Sequence, residues 1–114
     1  MNPGDLVLLW FPFNHSAAQP FKKRPALVLS RVGLGDDEAI VCVMVTGNPH
    51  RFRSAGAGDI KLTDWRSCGL AKESTIRSRR VWSAMPADFA GNIGRVKAST
   101  LEAVREEVRT LLGV

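Results

Sequence analysis

The sequence predicts a mainly β fold with one C-terminal helix: a small, strongly curved antiparallel sheet or barrel on which the helix packs. Three observations predict it. Short apolar runs of strand length, rich in β-branched residues, are separated by turns bearing proline and glycine. The apolar period becomes helical only near residue 99. At 114 residues the chain is the size of one domain, residues 1–114, which buries roughly two-thirds of its unfolded surface.

Each element follows in order. Pro3-Gly4-Asp5 is turn chemistry and launches the first strand, residues 6–11, which Pro12 and Asn14 end. Residues 14–20 are small and polar and read as an exposed loop. The second strand is residues 26–31. Pro25 stands at its mouth, where a missing N–H is tolerated, and Lys22, Lys23 and Arg24 lie ahead of it. Residues 32–38 hold Gly33-Leu34-Gly35-Asp36-Asp37, a hairpin-type turn. The third strand, residues 39–45, carries Ile40, Val41, Val43 and Val45 and stops at Thr46-Gly47-Asn48-Pro49. Residues 47–58 form a second long loop with His50, Arg51 and Arg53.

Residues 59–62 make a short fourth strand, and residues 75–83 a fifth. Period two puts Arg77, Arg79 and Ser83 on one face of the fifth strand and Ile76, Ser78, Arg80 and Trp82 on the other. Residues 86–94 read as a turn region and residues 93–96 as a last short strand. Ser99-Thr100-Leu101-Glu102 matches a capping box. Leu101, Val104, Val108, Leu111 and Leu112 recur at helical spacing, and Gly113 is the stop.

The net charge is +5. The last sixteen residues hold two cations and three acids, so the other 98 hold fourteen cations against eight acids, a body charge of +6. A compact basic body either favours a polyanion, most often nucleic acid, or is simply solubilised. Two cysteines, Cys42 in an apolar strand and Cys68 in a polar loop, lack metal-ligand spacing, so a reducing cytoplasm is the expected compartment. The start has no basic signal region, and no apolar run approaches the roughly 20 residues of a membrane span.

His15 and His50, the only histidines, have no partner at ligand spacing, so neither metal nor cofactor is expected. Both sit in predicted loops, as an acid–base pair for RNA cleavage or as plain exposed side chains. No phosphate-cradling glycine motif occurs. What is left is a set of cations and hydroxyls at strand ends: Arg24 and Thr46, with Lys22, Lys23, Arg51, Arg53, Arg77, Arg79 and Arg80 around them. A guanidinium clamps two phosphate oxygens in a fork and stabilises charge building at phosphorus. Taken singly, Arg24 also reads as a strand-edge charge and Thr46 as a turn residue.

In their order and spacing, Gly4-Asp5-Leu6-Val7-Leu8-Leu9-Trp10-Phe11-Pro12-Phe13 and Lys23-Arg24-Pro25-Ala26-Leu27-Val28-Leu29-Ser30 resemble the N-terminal half of the MazF/PemK toxins. Val45-Thr46-Gly47 is similar to that family's third segment. Gly69-Leu70, Ser74-Thr75-Ile76-Arg77, Ile93-Gly94-Arg95-Val96 and the helix resemble its C-terminal half.

The resemblance implies an SH3-like barrel and a homodimer. It implies a metal-independent endoribonuclease that cuts single-stranded RNA by 2′-hydroxyl attack, leaving a 2′,3′-cyclic phosphate and a 5′-hydroxyl. It also implies neutralisation by an acidic antitoxin that lies over the RNA groove. Arg24 and Thr46 are then catalytic, and Trp10, Asn14, Lys22, Lys23, Pro25, Gly47, Asn48, Arg51, Arg77, Arg79 and Arg80 bind RNA.

Two departures stand out. Trp10 replaces an acidic residue common in the family, and either stacks on a base or fills the core. Arg79-Arg80 stand where Asp-Gln is frequent. Two rivals remain: a gyrase poison of the CcdB type, whose C-terminal Trp-Gly-Ile this chain lacks, and a non-catalytic barrel that binds RNA or protein.

Overall fold

The computed structural model describes residues 1–12 and 21–114. Six strands, β1 (Asp5–Pro12), β2 (Phe21–Val32), β3 (Ala39–Thr46), β4 (Asp59–Leu62), β5 (Ser74–Ala84) and β6 (Phe89–Arg95), alternate with two helices, α1 (Pro49–Arg53) and α2 (Ala98–Leu112). All strand pairs are antiparallel, in the order β4-β5-β3-β2-β1-β6. The sheet curves without closing: β4 and β6 are its edges, with no ladder between them among the described residues.

The gap between the edges is bridged by packing. A Cβ added to Gly94 of β6 would overlap the Cys68 carbonyl. One added to Gly69, whose φ is +90°, would overlap the Ile93 carbonyl. The segment after β4 therefore crosses to β6 with backbone lying against backbone, which only glycines permit.

Strand alternation sorts the apolar residues onto two faces. Leu6, Leu27, Leu29, Val43, Val45, Leu62, Cys68 and Ile76 form one core with Val96, Val104 and Val108, under α2. Val7, Leu9, Phe11, Ala26, Val28, Ile40, Cys42 and Ala84 form a second core on the other face. Continuous apolar runs in β1 and β2 thus mean strands buried on both sides. Cys42 and Cys68, both free and buried, belong to different cores. Burial pushes the Cys42 thiol up to about 12, with Asp88 adding to the shift. At neutral pH it is a small apolar side chain and no nucleophile.

Several expected boundaries move. β2 begins at Phe21, so Lys22, Lys23 and Arg24 lie within the strand, paired with Phe11, Trp10 and Leu9 of β1. The cations are tolerated because cross-strand pairing with β1 orders the backbone while Lys22 and Lys23 stay exposed. The loop expected over 47–58 contains α1: Asn48 caps it through His50 N (2.9 Å), and Pro49 occupies its first turn.

β6 starts at Phe89, inside the expected turn region, and its glycines hid the strand pattern. The capping box does not form. α2 begins at Ala98 with Lys97 at the cap position and no side-chain cap, so Ser99 is already helical. The apolar stripe of α2 buries Val104 and Val108, while Leu111 and Leu112 are exposed beside a hollow lined by Leu29, Val41 and Val108. Arg105 donates to the Leu29 carbonyl (2.9 Å) and ties the helix to β2.

The largest correction concerns β5. Met44 pairs with Arg77, yet the next residue of β3, Val43, pairs with Val81. Residues 78–80 are therefore extra on β5 and form a wide bulge. The Ser78 amide donates to the Gly58 carbonyl (3.2 Å), one step beyond the Asp59–Arg77 pair of the β4–β5 ladder. Period two cannot hold across a bulge, so Arg79 and Arg80 are both exposed instead of facing opposite ways.

Candidate functional site

The β2–β3 ladder runs from Val32 with Ala39 to Ala26 with Met44 and ends there. Pro25, next in β2, has no N–H to extend it. Two residues past Ala26 is Arg24, and two past Met44 is Thr46. Continuing the register sets Arg24 opposite Thr46 on one face of the sheet, where the two strands part.

The adjoining pairs extend this row. Leu9 of β1 pairs with Arg24, Thr46 with Thr75 of β5, and Thr75 with Lys61 of β4. A second row on the same face runs Ala26, Met44, Arg77, Asp59. The extended register thus puts Arg24 and Thr46 on one face of the sheet, the face of buried Leu9 and Ala26.

Arg24 is half-buried and makes no hydrogen bond or ion pair with a described residue. Its fork is available to a ligand. The Thr46 hydroxyl oxygen accepts the Asn48 amide at 3.2 Å, which leaves the hydroxyl proton free to donate. That bond occupies the Asn48 amide.

Gly47 is covered by Lys72, whose Cε a Cβ there would strike. Lys72 was missed in the sequence because it lies in an irregular segment far along the chain from Thr46. It separates two mainly apolar hollows. One, of about 280 Å³, is lined by Pro25, Leu70 and Ile93 among others. The other, of about 230 Å³, is lined by Pro49, Trp65 and Glu73 among others.

Arg51, Arg77, Arg79 and Arg80 converge on a third hollow of about 360 Å³, with Asp59 as its carboxylate. Loop and strand residues far apart in sequence meet here because the bulge of β5 docks on Gly58. Arg77 is held below its ordinary value, first by burial, then by repulsion from Arg51 and Arg80, against the pull of Asp59. Its Nε lies 3.9 Å from Asp59, too far for a hydrogen bond.

Among the described residues three buried side-chain atoms have no hydrogen-bond partner: Thr75 Oγ1, Arg77 Nε and Ser78 Oγ. All lie within four residues of β5. An orphaned buried polar group costs about 1–3 kcal/mol. No feature of the sequence distinguished Thr75 or Ser78 from ordinary strand residues.

Trp10 lies elsewhere. It pairs with Lys23, and alternation puts both on the face opposite Arg24. It is 41% exposed, so it is no core residue. Lys23 Nζ sits 5.0 Å from its ring centroid, within cation–π range. Trp10→Ala is expected to leave the melting temperature nearly unchanged; a thermal melt checks it. Asn14 and His15 fall outside the described residues. His50 is exposed in α1, and Asn48 is exposed and caps that helix.

Comparison with known proteins follows this geometry. A family model described as PemK-like, MazF-like toxin of type II toxin–antitoxin system matches residues 2–112. No curated protein matches at a significant level. Among solved structures, a MazE–MazF structure from Deinococcus radiodurans superposes with a TM-score of 0.76 at 22% identity, covering 100% of this chain and 96% of that one. The Mycobacterium tuberculosis toxin MazF-mt6 gives 0.69 at 17%, covering 96% and 97%. An endoribonuclease in complex with its cognate antitoxin, from a mycobacterial species, gives 0.71 at 13%, covering 100% and 96%. At these identities the likeness is one of fold. No helix among the described residues is long and apolar enough to cross a membrane.

Proposed function

The chain belongs to the PemK-like, MazF-like toxins of type II toxin–antitoxin systems, and from that membership we propose that it is a sequence-selective, metal-independent endoribonuclease of single-stranded RNA. The observation that carries the reading is the register that sets Arg24 opposite Thr46 where the β2–β3 ladder ends. In this reading the 2′-oxygen of a ribose attacks the adjacent phosphorus and loses its proton. The bond to the 5′-oxygen breaks, and that oxygen gains a proton. Negative charge peaks on the non-bridging oxygens between these events.

The Arg24 fork faces that charge, and the Thr46 hydroxyl donates to one of the oxygens. A guanidinium keeps its proton throughout the pH range of ordinary enzymes, so its work here is electrostatic. Lys22, Pro25, Gly47 and Asn48 border the strand mouth and position the strand, while Lys23 stands with Trp10 on the opposite face. Arg51, Arg77, Arg79 and Arg80 add phosphate contacts.

The same positive body suits an acidic antitoxin, which covers the groove and silences the enzyme. The homodimer implied by the family belongs to this reading. Exposed Trp82, Met85 and Phe89 near the β5–β6 turn are apolar surface available to it.

Incubating the protein with a mixed RNA pool in EDTA, then sequencing the new 5′ ends, tests the activity and maps the cut site. Expected products carry a 2′,3′-cyclic phosphate and a 5′-hydroxyl. Fragments ending in a 3′-hydroxyl exclude 2′-hydroxyl attack. A protein that leaves all RNA intact but traps gyrase on DNA belongs to the rival class.

A further inference from the structure

We propose that the four-arginine hollow is a second phosphate subsite, which holds the linkage next to the scissile one. The proposal rests on the ribonuclease reading, since it takes Arg24 and Thr46 as the scissile position. Four guanidinium groups, Arg51, Arg77, Arg79 and Arg80, face one carboxylate, Asp59. That carboxylate already accepts the Gly56 amide (2.9 Å) and reaches Arg77 only at 3.9 Å. Arg51, Arg79 and Arg80 have no hydrogen-bond or ion-pair partner among the described residues. The hollow is an excess of positive charge without its counter-charge, and an anion is the chemistry that completes it.

Position on the sheet identifies which anion. The row Met44–Arg77–Asp59 is next to the row Arg24–Thr46–Thr75, on the same face. Arg77 is the diagonal neighbour of Thr46, about 7–8 Å away by the spacing of antiparallel pairs. That is the scale of one step between successive phosphates of an extended strand.

A phosphodiester lying from Thr46 to the hollow brings acceptor oxygens to the exposed guanidinium groups of Arg79 and Arg80. The bulge makes this possible: in a regular β5, Arg79 and Arg80 would point to opposite faces. The subsite therefore comes from an insertion in the ladder and not from a charge run on one strand.

The test uses an oligonucleotide centred on the mapped cut site, with a 2′-O-methyl at the attacking ribose to block cleavage. One linkage at a time is made a neutral methylphosphonate. Affinity is read by anisotropy at several salt concentrations for the wild type and for Arg77→Gln/Arg80→Gln, with thermal melts confirming that both are folded. In the wild type, neutralising one linkage adjacent to the scissile bond is expected to weaken binding about tenfold. The double variant is expected to bind the fully charged strand as weakly and to be insensitive at that linkage. Its salt slope should be shallower by about 0.7, one single-strand phosphate.

Arg77→Lys/Arg80→Lys is expected to restore the salt slope, since it keeps the charge. A wild type indifferent to both flanking linkages, or a variant that keeps the full sensitivity, overturns the subsite. So does a hollow whose arginines are needed to bind an acidic peptide while the methylphosphonate scan is flat. If the wild type cuts RNA and the scan is flat, only the subsite fails. A wild type that leaves the whole RNA pool uncut is the separate failure of the ribonuclease reading.

Discussion

Arg24→Ala is expected to fold like the wild type and to cut RNA at least about a thousandfold more slowly. The size follows from what a charge-stabilising donor contributes. Loss of one oxyanion donor costs about 10²–10³ in rate, and an arginine acting on phosphoryl charge contributes about 10³–10⁵. Stability should barely move, because Arg24 is half-buried and makes no ion pair among the described residues; such a substitution changes stability by about 1 kcal/mol or less. Arg24→Lys should recover part of the rate, since it keeps the charge and loses the fork. Single-turnover cleavage in EDTA, beside a thermal melt, reads both quantities. A folded Arg24→Ala that cuts within tenfold of the wild type would move catalysis to another residue.

The second large effect concerns the fold. Gly94→Ala should destabilise the protein by about 3 kcal/mol and lower its melting temperature by roughly 10 °C or more. The new Cβ would overlap the Cys68 carbonyl, and the Cα of Gly69 lies just beyond. Both obstacles are backbone, so no side chain can swing aside. Relief requires separating β6 from the segment after β4, the contact that bridges the open side of the sheet.

Gly91→Ala is the control on the same strand. Its Cβ would meet only Leu8 Cδ1, at 4.0 Å, an ordinary contact. It should melt within a few degrees of the wild type. Equal melting of the two variants would mean that the edges are not held by this approach.

The strands with simple patterns were legible in the chain. β3 ends where Thr46-Gly47 stops an apolar run, β4 was found at its observed limits, and α2 showed itself by period. Elements built from glycine or charge were not. β6 is half glycine and polar residues, and the first part of β2 is a cation run ordered by β1 across from it. α1 was hidden because its five residues are too few for a helical period; only the Asn48-Pro49 start announced it. Arg24 and Thr46 were singled out by resemblance, since neither residue type alone separates a catalytic group from a strand-end charge or a turn.

The sequence by itself determined the class of the fold and its positive body, because these depend on composition and local period. Tertiary structure decided which residues share a face. Trp10 was expected to stack on a base or to fill the core, and pairing with Lys23 puts it, half-exposed, on the face opposite Arg24. Arg79 and Arg80 looked opposed, yet a bulge docked on Gly58 turns both outward and gathers them with Arg51 and Arg77. The physical reason is the same in both cases. A strand's faces alternate by one residue, so one pairing partner or one ladder insertion reassigns every side chain beyond it.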